Sequence, residues 1–216
     1  MTTALSFRCR HEYSSGFQLD VEFSASNGVT AIVGPSGSGK TTILSIIAGL
    51  MLPADGMIRL NNRILLDSRS EAVVPTHHRR VGMLFQDYCL FPHMTVQRNI
   101  EYGLKRRSGE SLDYWRLIEV LELAELLQRR PESLSGGQKQ RVALARAIAS
   151  HPEILLLDEP LTSVEPELQQ RILPYLKSAI AEFKIPTLVV SHNRELVASL
   201  AETVIEIENG KLSPRR

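Results

Sequence analysis

Apolar and polar positions alternate from Ala4 to Phe23 in two runs, Leu5/Phe7/Cys9 and Phe17/Leu19/Val21/Phe23, parted by Ser14, Ser15 and Gly16. A period of two with a glycine-containing break predicts an antiparallel hairpin. Asn27-Gly28 then turns the chain into Val29 to Val33, an unbroken apolar run suited to a strand covered on both faces. After a glycine-rich turn, Ile43, Leu44, Ile46, Ile47 and Leu50 repeat with helical spacing that stops near Pro53. Short strands are expected at Met57 to Leu60, Ile64 to Leu66 and Val81 to Phe85. From about Asp87 to Ser150 the period becomes helical, with helices predicted at Thr95 to Leu104, Leu112 to Leu127 and Gln138 to Ser150. Strand and helix then alternate: a strand at Ile154 to Leu157, a helix from about Glu165 to Phe183, a strand at Thr187 to Val190, a helix at Arg194 to Leu200 and a strand at Val204 to Ile207. Pro174 should kink the first of these helices, because proline lacks the donor and crowds the preceding turn.

This order predicts an α/β fold: a mixed sheet with an N-terminal antiparallel hairpin region and a helical lobe, about residues 87–150, inserted in the sheet domain. A length of 216 residues suits one such domain with a subsidiary lobe. The 25 basic and 24 acidic residues leave a formal charge of +1, too little to attract nucleic acid or anionic lipid in general, so any anion must be held locally. Cys9 and Cys89 lie far apart, with no metal-ligand spacing around them, so reduced thiols and a cytosolic address are expected. No apolar run approaches the roughly 20 residues needed to cross a bilayer.

The candidate chemistry begins at Gly34-Pro35-Ser36-Gly37-Ser38-Gly39-Lys40-Thr41, followed by Thr42, which fits the P-loop pattern between a predicted strand and a predicted helix. In such a loop, glycines let backbone N–H groups converge on phosphate oxygens at the positive end of the helix. Lys40 reaches the β and γ phosphates of a nucleotide such as ATP, and Thr41 offers a hydroxyl to Mg²⁺. Hydrolysis also needs a metal-anchoring carboxylate and a group that handles water. Ile154 to Leu157 carries Asp158 and Glu159 to the carboxyl end of an apolar strand, where open α/β sheets bind ligands. Asp158 is the candidate for Mg²⁺ and Glu159 for polarising the attacking water. A second anion cradle stands at Leu134-Ser135-Gly136-Gly137-Gln138, directly before a helix. One nucleotide needs only one P-loop, so the pair makes sense if the second cradle closes on a nucleotide held by another copy.

These residues resemble the ATP-binding cassette family over nearly the whole chain. Leu134 to Gln138 is similar to that family's signature sequence, Asp158-Glu159-Pro160 to its Walker B element, Gln86 to its Q-loop glutamine and His192 to its switch histidine. The resemblance implies a P-loop NTPase core with the inserted lobe. It further implies a head-to-tail homodimer that sandwiches two ATP molecules between P-loop and signature. Gln86 would then sense Mg²⁺ or water while its loop touches an integral-membrane permease, at the cytoplasmic face of the bacterial inner membrane. Tyr13 matches the aromatic residue that stacks on adenine, with Phe17 close enough to compete. Glu165 stands where the family usually has Asp, which bears on coupling across the dimer. Several stretches, among them Arg79 to Gly82, Leu90-Phe91-Pro92-His93 and Leu173 to Leu176, look most like the ATPase subunits of molybdate importers. Those of sulfate and thiamine importers are near relatives, and a soluble non-transport ATPase is the remaining alternative. Such importers imply a periplasmic or extracellular solute-binding protein as an indirect partner. Molybdate-type ATPases usually continue into a small β-rich regulatory domain, which is not expected within these 216 residues.

The run His77-His78-Arg79-Arg80 and the run Lys105-Arg106-Arg107 should be solvated, and the apolar stretch at Leu90 to Pro92 is read as a partner-binding surface. Trp115 and the neighbouring Leu117, Leu121 and Leu123 are read as the core of the lobe.

Overall fold

A computed structural model describes residues 3–104, 113–161 and 166–213. The expected hairpin is present as β1 (Thr3–Glu12) and β2 (Gln18–Ser26), whose inward residues Phe7 and Phe23 face each other across the pair with ring centroids 5.1 Å apart. There follow β3 (Val29–Val33), α1 (Lys40–Ala48), β4 (Asp55–Leu60), β5 (Arg63–Asp67), β6 (Ala72–Val73) and β7 (Val81–Leu84). Three helices come next, α2 (Val96–Leu104), α3 (Tyr114–Val120) and α4 (Gly136–Ala149). The chain then runs through β8 (Ile154–Asp158), α5 (Pro166–Phe183), β9 (Thr187–Val190), α6 (Arg194–Leu200), β10 (Thr203–Glu208) and β11 (Lys211–Leu212). The strands form one sheet in the order β6-β5-β4-β1-β2-β11-β10-β3-β9-β8-β7.

The two halves of this sheet differ in kind. β10, β3, β9, β8 and β7 are parallel neighbours, as crossovers through helices require, whereas β6, β5, β4, β1 and β2 pair antiparallel. Alternate residues of the parallel strands feed two separate cores. Leu155, Leu157 and Val189 pack on the helical side, while Ile154, Leu156, Leu188 and Val190 pack against α1 and the antiparallel strands. Burial on both faces explains why these strands read as continuous apolar runs. Helix α1 lies in the second core, where Ile43, Leu44, Ile46 and Ile47 are fully buried, so the glycine-rich turn at its start is built on a rigid platform.

Three sequence expectations need correction, and two short strands were not expected. The helix expected at Leu112 to Leu127 stops at Val120: Leu121, Leu123 and Leu126 stay buried, but Glu122 takes a left-handed φ of 48° and only a short 3-10 turn follows. Arg141 of α4 stabilises that break by donating to the carbonyls of Leu121 (2.8 Å) and Glu122 (3.1 Å), a contact that local periodicity does not contain. Trp115 is not core but 69% exposed, because the register of α3 turns Leu117 and Ile118 inward instead. Arg79 is not solvated. It is fully buried and donates from Nη1 to the carbonyls of Ile46 and Ile47 at the end of α1, and from Nε to that of Val74. A guanidinium at a helix C-terminus meets carbonyls that still have acceptor capacity and the negative end of the helix dipole. Finally, β6 and β11 have two residues each, too short to leave a pattern. Lys105 to Arg107 and Glu165 lie outside the described residues.

Candidate nucleotide site

Three strands end at one place. The turn after β3 carries residues 34–39 into α1, β8 ends at Asp158 with Glu159 next, and β9 is followed by Ser191 and His192. Since β3, β9 and β8 are adjacent and parallel, their carboxyl ends open on one cleft of about 490 Å³. Its lining includes Tyr13, Lys40, Thr41, Gln86, Glu159 and His192. Ser36, Gly37, Gly39 and Thr42 line it as well, as do Ser15 and Phe17.

The loop conformation depends on glycine at two points. Gly39, the N-cap of α1, has φ 101°, a region open to glycine but strained for other residues. A Cβ on Gly34 would fall 2.1 Å from the carbonyl oxygen of Ile207, so the loop passes this strand too closely for any side chain. Pro35 is exposed and Ser38 is buried. Lys40, only 7% exposed, donates from Nζ to the carbonyls of Gly34 (2.9 Å) and Pro35 (2.7 Å) and to Ser38 Oγ (3.4 Å). Burial pushes its pKa below the ordinary lysine value, with Glu159 and then Asp158 pulling the other way.

Residues far apart in the chain meet on the far wall. Thr41 Oγ1 donates to Asp158 Oδ1 at 3.1 Å across 117 positions. Burial raises the Asp158 pKa above the usual carboxylate range and the charge of Glu159 adds to that, against the hydrogen bond from Thr41. Glu159 Oε1 lies 2.9 Å from His192 Nδ1, and Ser191 Oγ donates to Glu159 Oε2 at 3.5 Å. Glu159 itself has φ 47°, an uncommon conformation for a side-chain-bearing residue, and its N–H is fixed to the carbonyl of Val190. Tyr13 hydrogen-bonds through its hydroxyl to Thr42 Oγ1 at the start of α1, and its ring lies 5.8 Å from that of Phe17, so both aromatics stand at the mouth of the cleft.

The second cradle is elsewhere. Ser135 caps α4 in a capping box: Ser135 Oγ accepts from Gln138 N–H at 3.3 Å, and Gln138 Oε1 accepts from Ser135 N–H at 2.9 Å. Ser135 and Gly136 are exposed, Gly137 is buried, and none of residues 135–138 lines the cleft. One chain therefore does not bring its two cradles together.

The donor set fits a magnesium nucleotide. A glycine-restricted loop at a helix start, a buried lysine, and a hydroxyl bonded to a carboxylate are oxygen and N–H groups suited to phosphates and a hard cation. Ser191, Gln140, Gln169 and Asn193 were not apparent from motif spacing. Gln140, two residues after Gln138, is polar yet fully buried among the apolar residues of α4, and nothing local to the helix shows what its amide bonds.

Fold and cleft together define a P-loop nucleotide-binding protein of the α/β class. The chain belongs to the ABC transporter family, whose description matches residues 18–162. It is 44% identical over 201 residues to the molybdenum import ATP-binding protein ModC of Paramagnetospirillum magneticum, covering 91% of this chain and 55% of that one. It is 43% identical to the molybdenum import ATP-binding protein ModC 1 of Azotobacter vinelandii, covering 95% and 58%. The chain thus spans about half the length of the curated relatives it matches. Among solved structures it is similar to the dimeric post-hydrolysis state of the ATP-binding cassette MJ0796 bound to ADP and Pi, with a TM-score of 0.79, 28% identity and coverage of 98% and 97%. No helix among the described residues is long and apolar enough to cross a membrane.

Proposed function

We propose that this chain binds and hydrolyses ATP as the motor subunit of an ABC importer, working as a head-to-tail homodimer on the cytoplasmic side of a membrane permease. The observation that carries the reading is the meeting of Lys40, Thr41, Asp158, Glu159 and His192 around one cleft. Backbone N–H groups of the loop and Lys40 hold the phosphates, with Lys40 exchanging its carbonyl partners for phosphate oxygens. Thr41, Asp158 and Gln86 are the residues that would hold Mg²⁺, which when bound neutralises phosphate charge. Glu159 accepts a proton from the water that attacks the γ phosphorus, as the bond from that phosphorus to the β–γ bridging oxygen breaks. ADP and phosphate are the products. His192, at 2.9 Å, orients the Glu159 carboxylate for that work. Tyr13, with Phe17 as neighbour, supplies the flat face for adenine.

In the dimer, Ser135, Gly136, Gly137 and Gln138 of one subunit face the nucleotide held by the other, which accounts for the exposure of Ser135 and Gly136 in a single chain. Helices α2 to α4 constitute the inserted lobe of a single cassette domain. The permease contacts the groove next to Gln86, where Phe91 packs against Tyr102 and under the Arg146 guanidinium and Leu50 is exposed. Closure of the dimer carries that groove inward and changes access in the permease. The similarity to molybdenum import proteins supports molybdate or a related oxyanion as the solute, delivered by a solute-binding protein. The test is ATPase activity of the reconstituted complex with molybdate, sulfate, phosphate or thiamine on its binding protein. Stimulation by molybdate is expected, and stimulation by thiamine alone overturns the oxyanion. Phe91→Asp should release the permease while leaving nucleotide binding intact, and a variant complex that still assembles and transports overturns the docking surface.

A further inference from the structure

Gln140 lies in the second turn of α4, five residues after Ser135, about 7.5 Å along the helix axis. It is fully buried, and its Nε2 donates to the carbonyl of Pro160, the residue directly after Glu159. Its Oε1 is also buried and has no donor among the described residues. A buried amide with one half unsatisfied is unfavourable and rare in folded proteins, so it needs an explanation beyond packing, which a leucine would serve better. The next carbonyl, that of Leu161, accepts from Gln169 Nε2 of α5 at 3.0 Å. Gln169 Oε1 in turn accepts from Asn193 Nδ2 at 3.0 Å, and Asn193 N–H donates to Ser191 Oγ, the same hydroxyl that donates to Glu159. The left-handed turn at Glu159 is thus pinned on its C-terminal side by two glutamines, one from the helix that begins with the signature cradle and one from α5.

We infer that Gln140 is a positioning residue that couples the signature end of α4 to the Glu159 turn of the same chain. The inference rests on the head-to-tail reading above and deepens it. In that dimer, Ser135 of one subunit touches the nucleotide of its partner's P-loop, whereas Glu159 of the same subunit acts on its own nucleotide. Gln140 therefore transmits occupancy of one site to the Glu159 carboxylate of the other. A rigid helix moved at its first turn displaces the second turn with it, and the amide hands that displacement to the Pro160 carbonyl.

The experiment compares the full chain with Gln140→Leu, which keeps the volume and removes the donor, and with Gln169→Leu, which removes the neighbouring pin. ATP hydrolysis is measured against ATP concentration, nucleotide affinity by calorimetry, and Tm by thermal unfolding. For Gln140→Leu the expected result is an ATP Kd within about threefold of the parent, a kcat reduced about tenfold, and loss of the parent's sigmoidal ATP dependence. Gln169→Leu should lower kcat less and leave part of the cooperativity. If Gln140→Leu retains both kcat and cooperativity, or if the parent's ATP dependence is hyperbolic, the coupling role is overturned. A variant in which Kd, kcat and Tm all worsen together with cooperativity intact assigns Gln140 a merely structural role and also overturns it. A parent chain that binds but never hydrolyses ATP fails at the underlying reading instead, before Gln140 is considered.

Discussion

Two helix starts in this molecule carry nearly the same local chemistry and have opposite surroundings. At α1 the N-cap is Gly39, which offers no side chain to the first N–H groups, and charged residues from β8 and the turn after it stand opposite. At α4 the N-cap is Ser135, whose hydroxyl and the Gln138 amide satisfy the helix start from within, and a Cβ on Gly136 would meet open space. The first end leaves its donors for a ligand and has the acids of the same chain around it. The second is complete as a cap and presents its outer face to whatever approaches. A glycine-rich helix start is thus not a site in itself. What the rest of the tertiary structure places before it decides whether acids of the same chain stand opposite that start.

The most severe way to test the difference is at the acids before α1. Glu159→Gln should lower kcat by about a thousandfold while ATP binding persists, because the amide keeps the shape but cannot take a proton. An ATP-bound dimer should accumulate in gel filtration, and turnover at the parent rate would move the water's handling to another group. Lys40→Ala comes next, weakening ATP binding by about a hundredfold, since several phosphate charges lose their buried cation and its charge-assisted bonds. Calorimetry on the isolated chain measures this, and unchanged affinity would remove α1 from the phosphate site.

At the other helix start, Ser135→Arg should leave ATP affinity of the single chain unchanged and block dimer closure. Mixing it with Lys40→Ala subunits sharpens the comparison, because one composite site then lacks both cradles and the other keeps both. A return of several-fold activity over either variant alone is expected in the assembled complex. If the variant loses only the roughly 1 kcal/mol that an N-cap contributes, with closure intact, α4 begins with a cap and nothing more.

The smallest effect concerns the cost of holding Asp158 ready. Burial raises its folded-state pKa above the value in the unfolded chain. A carboxyl shifted upward is destabilising when ionised, so the cost is fully present above the folded pKa and is relieved as pH falls through it. Asp158→Asn, which can still accept from Thr41, should therefore stabilise the nucleotide-free chain at neutral pH by about 1 kcal/mol while abolishing turnover. Thermal unfolding across pH should show the parent gaining on the Asn variant as acid is added. Equal curves at all pH values would mean that the carboxylate is not held at a cost.

Much of this was legible in the chain itself. A glycine pattern between a strand and a helix, and two carboxylates at the end of an apolar strand, are local arrangements. Backbone conformation and strand polarity place such residues before any packing is known, so Lys40, Thr41, Asp158 and Glu159 were found from spacing. The antiparallel start and the buried parallel strands were equally plain, because periods of two and continuous apolar runs follow from which faces are covered. Arg79, Trp115, Glu122 and Gln140 were not. Each side chain's fate depends on a partner tens of positions away or on a few degrees of helix register. Arg79 reads as a surface charge until the end of α1 arrives above it, Glu122 reads as helix until Arg141 caps the break, and Gln140 reads as an ordinary polar residue until the Pro160 carbonyl lies against it. Local rules determine what a segment prefers. Only the packed structure decides which backbone groups are left without partners, and a buried guanidinium or amide goes where those groups are.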